Sequence, residues 1–339
     1  MAKVVQVANL KPGITIMRLR RREFLRLAAS AAALPVMMRA AAAETYPSRP
    51  VRIVAGFPAG NASDIVARLA AQALSERLGE QFIVDNRPGA GGNIGTEFVV
   101  RATSDGYTLL LVSPSTTTNA TLYGNLTFNF LHDIAPAAGI ARAPYVMVLN
   151  PALSAKTVPE FIAYAKANPG KINMASSGNG SLSHMCGALF MTMAGVNMVH
   201  VPYRASFMPD LLAGQVQVVF APISQVIEYI RDGKLRGLAV STEARQEMLP
   251  DTPAVGEFVK GYEASGWYGI GAPTGTSTEI IDVLYRGISA ALADPAMKAH
   301  LADVGAVPMP LAPTAFGKFL AAETEKWGNV IRAANIKLD

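Results

Sequence analysis

The stretch VRIVAGFPAGNASDIVARL, residues 51–69, decides the fold. Residues 51–57 form a β-branched apolar run with strand character. Pro58, Ala59 and Gly60 then turn the chain, and Asn61 or Ser63 can cap a following helix. That helix is predicted over 65–78, with Ile65, Leu69, Ala73 and Leu78 near one face. A strand that passes through a tight turn into a helix is the repeating unit of an α/β fold.

The alternation continues outward from this unit. Strands are predicted at 82–85, 108–113, 145–150, 172–176, 199–203, 216–221 and 235–241, and another extended run at 266–272. Helices are predicted at 96–103, 158–168, 183–194 and 223–232, with helical stretches at 279–304 and 314–334. The expected architecture is two lobes, each a mainly parallel sheet flanked by helices. Chain crossings are expected near Arg142 and Gly266, which puts 44–142 with 266–339 in one lobe and 143–265 in the other.

Ahead of this region lies RREFLR, residues 21–26, in a basic patch with Arg18 and Arg20. An uncharged apolar segment (27–38) and Ala41-Ala42-Ala43 follow. A charged start, a short apolar run and a small-residue cleavage signal make an export leader, expected to be removed near Ala43. The paired arginines fit the twin-arginine class, although general secretion fits as well. The apolar run is shorter than the ~20 residues that span a bilayer, and Pro35 interrupts it. Either Met1 or Met17 can be the start.

Removing residues 1–43, with eight Lys/Arg and one Glu, takes the formal charge from +5 to −2, leaving 22 basic against 24 acidic residues. No Lys/Arg run remains to track a phosphate backbone, so no nucleic-acid partner is expected. The 296 residues that remain suit two domains. The one cysteine, Cys186, sits among apolar residues and reads as a buried structural thiol. His132, His184, His200 and His300 lack zinc-site spacing, so no metal is expected. G-x-S-x-G and G-x-x-x-x-G-K-S/T are both missing.

Three loops could carry chemistry. FPAGNASD (57–64) is a strand-to-helix turn whose helix start can cradle a carboxylate or phosphate, or can simply be a capped βα turn. SSGNGSLSH (176–184) repeats the pattern in the other half. Ser177, Gly178, Gly180 and Ser181 offer donors there, while His184 fits packing or capping as well as ligand contact. RPGAGGNIG (87–95) lacks dinucleotide spacing and reads as a structural glycine loop, so no cofactor is expected. Two helix starts facing across a cleft could hold an anion with few charged side chains.

These loops, in this order, resemble the substrate-binding proteins of tripartite tricarboxylate transporters, the Bug receptors. The resemblance runs through YPSRPVRIVAGFPAGNASDIVAR (46–68), LGEQFIVDNRPGAGGNIGTE (78–97) and DGYTLLLVS (105–113). It continues in SSGNGSLSH, VPYR (201–204), DLLAGQVQVVF (210–220), GKLRGLAVST (233–242) and the segment 253–263. It implies a periplasmic two-lobed Venus-flytrap receptor, a small carboxylate held between the lobes, delivery to membrane transporter subunits, a monomer and no enzymatic activity. It further implies ligand contacts from Phe57, Ala59, Gly60, Asn61, Asp64 and Ser113 in the first lobe, and from Ser177, Gly178, Ser181, His184, Tyr203 and Pro222 in the second. The chain departs from the family pattern in three places: Asn61 replaces a usual glycine, residues 205–209 make a shorter and bulkier turn, and Gln217 replaces a usual acid. A receptor that signals to a sensor, and a serine hydrolase working near His184, are the alternatives.

Overall fold

The structure, a computed structural model, describes residues 46–203 and 205–338. The expected leader, its paired arginines and its cleavage site lie outside the described residues.

The opening unit forms as its sequence dictates. Strand β1 (Val51–Ala55) runs into helix α1 (Ala62–Leu78), which Asn61 caps by accepting from Asp64 N, and which ends at Gly79 with φ +79°. Strand β2 (Phe82–Asn86) follows, then α2 (Asn93–Val100), β3 (Thr108–Val112), α3 (Pro114–Leu122) and α4 (Phe130–Asp133). The long strand β4 (Ile134–Ala143) then leads across Pro144 into β5 (Tyr145–Leu149). Next come α5 (Val158–Ala167), β6 (Asn173–Ser176), α6 (Leu182–Ala194), β7 (Val199–Pro202), α7 (Met208–Leu212), β8 (Val218–Pro222), α8 (Ile223–Arg231) and β9 (Arg236–Val240). The chain returns through β10 (Gly266–Pro273), then α9 (Thr278–Ala293), α10 (Pro295–Asp303), β11 (Val307–Pro308) and α11 (Pro313–Ala333).

Two sheets result. The first has six strands in the order β11-β4-β10-β3-β1-β2, the second five in the order β7-β6-β8-β5-β9. Both are mixed, where the alternation of strands and helices had pointed to mainly parallel pairing. The parallel ladders, β1 with β2 and β3, and β6 with β7 and β8, come from strand–helix–strand units. The antiparallel ladders come from strands adjoining the crossings: β4 and β10 in the first sheet, β5 in the second. Helices cover both faces of each sheet, giving an apolar cluster on either side of it.

Helix α11 is a third connection. Its first half places Phe316 and Leu320 in a cluster with Trp267 of the first sheet. Its second half places Trp327, Val330 and Ile331 in the core of the second, joined there by Ile336. The helical stretch expected at 279–304 is broken in two. Asp294, which precedes Pro295, takes extended backbone (ψ 129°) and caps α10 by accepting from Ala296 N.

Candidate functional site

A cavity of about 600 Å³ lies where the two sheets face each other. Four strand ends deliver helix N-termini to it. The first sheet contributes Asn61, Ala62 and Ser63 at the start of α1, and Ser113, Pro114 and Ser115 at the start of α3. The second contributes Ser181 and Leu182 at the start of α6, and Pro222, Ser224 and Gln225 at the start of α8. This is the crevice beyond the carboxyl ends of strands, where open α/β sheets bind ligands. Among the described residues, no Arg, Lys, His, Asp or Glu side chain lines it. Each helix start instead carries about half a positive charge from its aligned peptides. The N–H groups of Ala62, Ser63, Leu182 and Ser183 have no acceptor among the described residues. The arrangement suits an anion in a site without formal charge.

Of the twelve sequence-read contacts, Phe57, Asn61, Ser113, Ser181 and Pro222 line the cavity. Ala59 and Gly60 are exposed in the first loop, and Ser177 is exposed in the second. Asp64, Gly178, His184 and Tyr203 are not in the cavity wall. Asp64 is 2% exposed and accepts from Gly60 N (2.9 Å), Arg68 Nε (2.9 Å) and Asn86 Nδ2 (2.9 Å). Burial alone would raise its pKa, but the hydrogen bonds from Arg68, Gly60 and Asn86 outweigh it and hold the carboxyl below its ordinary value.

His184 does the same work in the second loop. Its Nδ1 accepts from Gly180 N (3.2 Å), while its own N–H is capped by Ser181 Oγ (3.3 Å). Its ring stacks on that of His200 at 3.6 Å, and His200 Nε2 lies 2.6 Å from Ser176 Oγ. Burial, then the neighbouring His200, lowers its pKa from 6.5 to about 4, so the ring is neutral and accepts at Nδ1. Ser181 Oγ donates to Gly178 O (2.7 Å), not to a histidine ring. Tyr203 donates its hydroxyl to Asp210 (2.7 Å) over the edge of Phe207, and burial followed by that bond pushes its pKa up to about 12. Gln217 ties strands together away from the cavity, accepting from Asn173 N and donating to Gly214 O.

Sequence reasoning missed much of the wall. Helix α3 contributes Thr118, Asn119 and Leu122, and Tyr123 follows it. Its Thr-rich composition argues weakly for helix, yet Ser113-Pro114 directly after a strand is a helix-start signature that could have found it. The glycine loop at 87–95 is structural as read. It passes so close to Gly56 that a Cβ there would meet Gly92 Cα at 2.8 Å. It also presents Gly91 to the cavity, with Asn119 Nδ2 donating to Gly91 O (3.0 Å). Ala143, Tyr145, Gly266 and Tyr268, beside the crossings, and Leu338, in the tail, complete much of the remainder. Cys186 is fully buried, and burial pushes its thiol up, away from the reactive thiolate.

Two facing mixed sheets, joined by crossing strands around an uncharged cleft of helix N-termini, define a two-lobed α/β solute-binding protein. Residues 66–336 match the family described as "Tripartite tricarboxylate transporter family receptor". The chain belongs to that family, whose members are periplasmic receptors. Protein BugT of Bordetella pertussis is 36% identical over 303 residues, covering 87% of this chain and 92% of its own. The solved structure of R. palustris Rpa4515 with adipate is 33% identical with a TM-score of 0.73, covering 86% of this chain and 99% of that one. MatC (Rpa3494) from Rhodopseudomonas palustris with bound malate is 28% identical with a TM-score of 0.69, covering 84% and 100%.

Proposed function

We propose that this chain is an exported receptor that closes on a small carboxylate between two lobes, 44–142 with 266–339 and 143–265, and presents it as a monomer to a tripartite membrane transporter. The observation that carries the reading is the uncharged cavity at four helix N-termini. Such a site favours an anion through backbone dipoles, each contributing about 0.3–1 kcal/mol. The adipate and malate bound by its two relatives are anions of that kind. Ligand contacts come from the five sequence-read residues in the wall, while Asp64 and His184 shape the loops behind them. Binding rather than hydrolysis is supported by Ser181, whose hydroxyl is committed to its own loop.

Calorimetric titration of the purified protein tests this. Carboxylic acids such as adipate should bind with one-to-one stoichiometry, and the matching uncharged diamides should not. Equal binding of acids and amides would sink the anion reading. A ligand that selects the closed state should also reduce the radius of gyration in solution scattering.

A further inference from the structure

The cavity wall beyond the helix ends is apolar to an extent that the capture of a small acid does not require. Leu122, Tyr123, Tyr145, Leu182, Tyr268 and Leu338 supply it. Leu122, Tyr145 and Leu182 rest on the core of the second sheet, so this wall is fixed from behind. Gly180 lets the wall close up. A Cβ there would sit 2.9 Å from Leu122 Cδ1 and 3.6 Å from Leu338 Cδ2, so leucines from the first lobe and the tail converge on a second-lobe loop.

The three tyrosine hydroxyls have no hydrogen-bond partner among the described residues. Burial pushes the Tyr268 hydroxyl up to about 12, and raises that of Tyr145 as well, so both are protonated and able to donate. An ammonium group would find no carboxylate among the lining residues to pair with, and a hydroxyl placed against Leu122, Leu182 or Leu338 would lose its hydration. An aromatic ring would meet apolar walls and tyrosine rings that favour edge or offset contact. A volume of about 600 Å³ is in the range that encloses such a ligand.

Resting on the receptor reading above, we propose that the preferred ligand is an aromatic acid: one carboxylate at the helix N-termini, carried on a ring packed against the wall of Leu122, Leu182 and Leu338, with tyrosine hydroxyls meeting ring substituents.

Competitive calorimetry on the purified protein with benzoate, 3-phenylpropionate, adipate, malate and benzamide tests this. An aromatic carboxylate should bind at least tenfold more tightly than malate or adipate. Malate or adipate binding as tightly as the aromatic acids would overturn the inference and leave the receptor reading intact. Binding of benzamide with no acid binding would overturn both. Leu338→Asp, near the chain end, should weaken the aromatic acids at least tenfold while leaving the melting temperature of the free protein unchanged. Unaltered affinity in that variant overturns the apolar wall.

Discussion

Asp64 and His184 hold equivalent places in the two halves. In each loop a glycine with positive φ (Gly60, +85°; Gly180, +71°) precedes a capping residue (Asn61; Ser181), and the side chain four residues beyond the glycine accepts that glycine's N–H. A carboxylate does this in one half and a neutral imidazole in the other, so the two loops answer acid differently. The His184 pKa falls from 6.5 in an unfolded chain to about 4 in the folded protein. Between those values the unfolded state binds more protons. The stabilisation is therefore fully present above pH 6.5 and is lost as pH falls toward 4. The expected loss between pH 7 and 4.5 is roughly 2 kcal/mol. His184→Gln keeps an acceptor but does not titrate, so urea unfolding of the two proteins should give pH profiles that diverge below pH 6.5. Parallel profiles would show that the His184 ring is not held neutral. The Asp64 contribution runs in the acid range instead. Its lowered pKa gives stability present above the unfolded carboxyl value and lost below it.

At the scale of elements, β4 and β10 carry the chain between the sheets and pair along eight residue positions with two register shifts. The shifts leave Ala137 and Ile140 as extra residues in β4, beside Pro136, whose missing N–H a bulge tolerates. Glycine makes the packing possible. A Cβ on Gly269 would lie 2.6 Å from Ala138 O and 2.2 Å from the buried Phe316 ring. Gly269→Ala should cost about 1–3 kcal/mol in urea unfolding. Gly124→Ala, where a Cβ meets nothing within 4 Å, should change stability by less than about 0.5 kcal/mol. Little change at Gly269 would mean that α11 does not press on β10. The same chemistry explains what could be read in advance. The β1–α1 unit was legible because Val51, Ile53 and Val54 give β-branched strand character and Asn61 a cap. Strand β4, IAPAAGIARA, was not, because alanine, glycine and proline carry almost no strand propensity and its pairing is imposed by β10 and β11. The cavity was half legible for the same reason. Loop-borne caps announce themselves in sequence, whereas Tyr145, Tyr268 and Leu338 become neighbours only through the crossings.

Across the whole molecule, the three connections are tied by one charged cluster. Glu323 on α11 is 5% exposed, and its Oε2 accepts from Trp267 Nε1 on β10 (3.0 Å) and Trp327 Nε1 (2.9 Å). Its other oxygen pairs with Lys326, which also reaches Glu263 Oε2 (2.9 Å) and Glu263 O (3.2 Å), just ahead of β10. Arg142, at the end of β4, meets Glu263 at 3.4 Å. Burial would lower the Lys326 pKa, but Glu263 and Glu323 together raise it, so the ammonium is held charged. A cluster this enclosed resists the loss of one member more than it adds as a whole, because the survivors are left desolvated and unpaired. Glu323→Ala strands two indole N–H groups and removes one of the two carboxylate partners of Lys326, and should cost about 3–5 kcal/mol in urea unfolding. Glu323→Gln restores an acceptor for the indoles but turns an amide NH2 toward Lys326, so it should recover only part of that loss. If both variants are equally unstable, the charge pair with Lys326 dominates. If neither departs from the parent, the cluster does not bind the crossings together, and the rigidity of this region must come from Phe316, Leu320 and Trp267 packing alone.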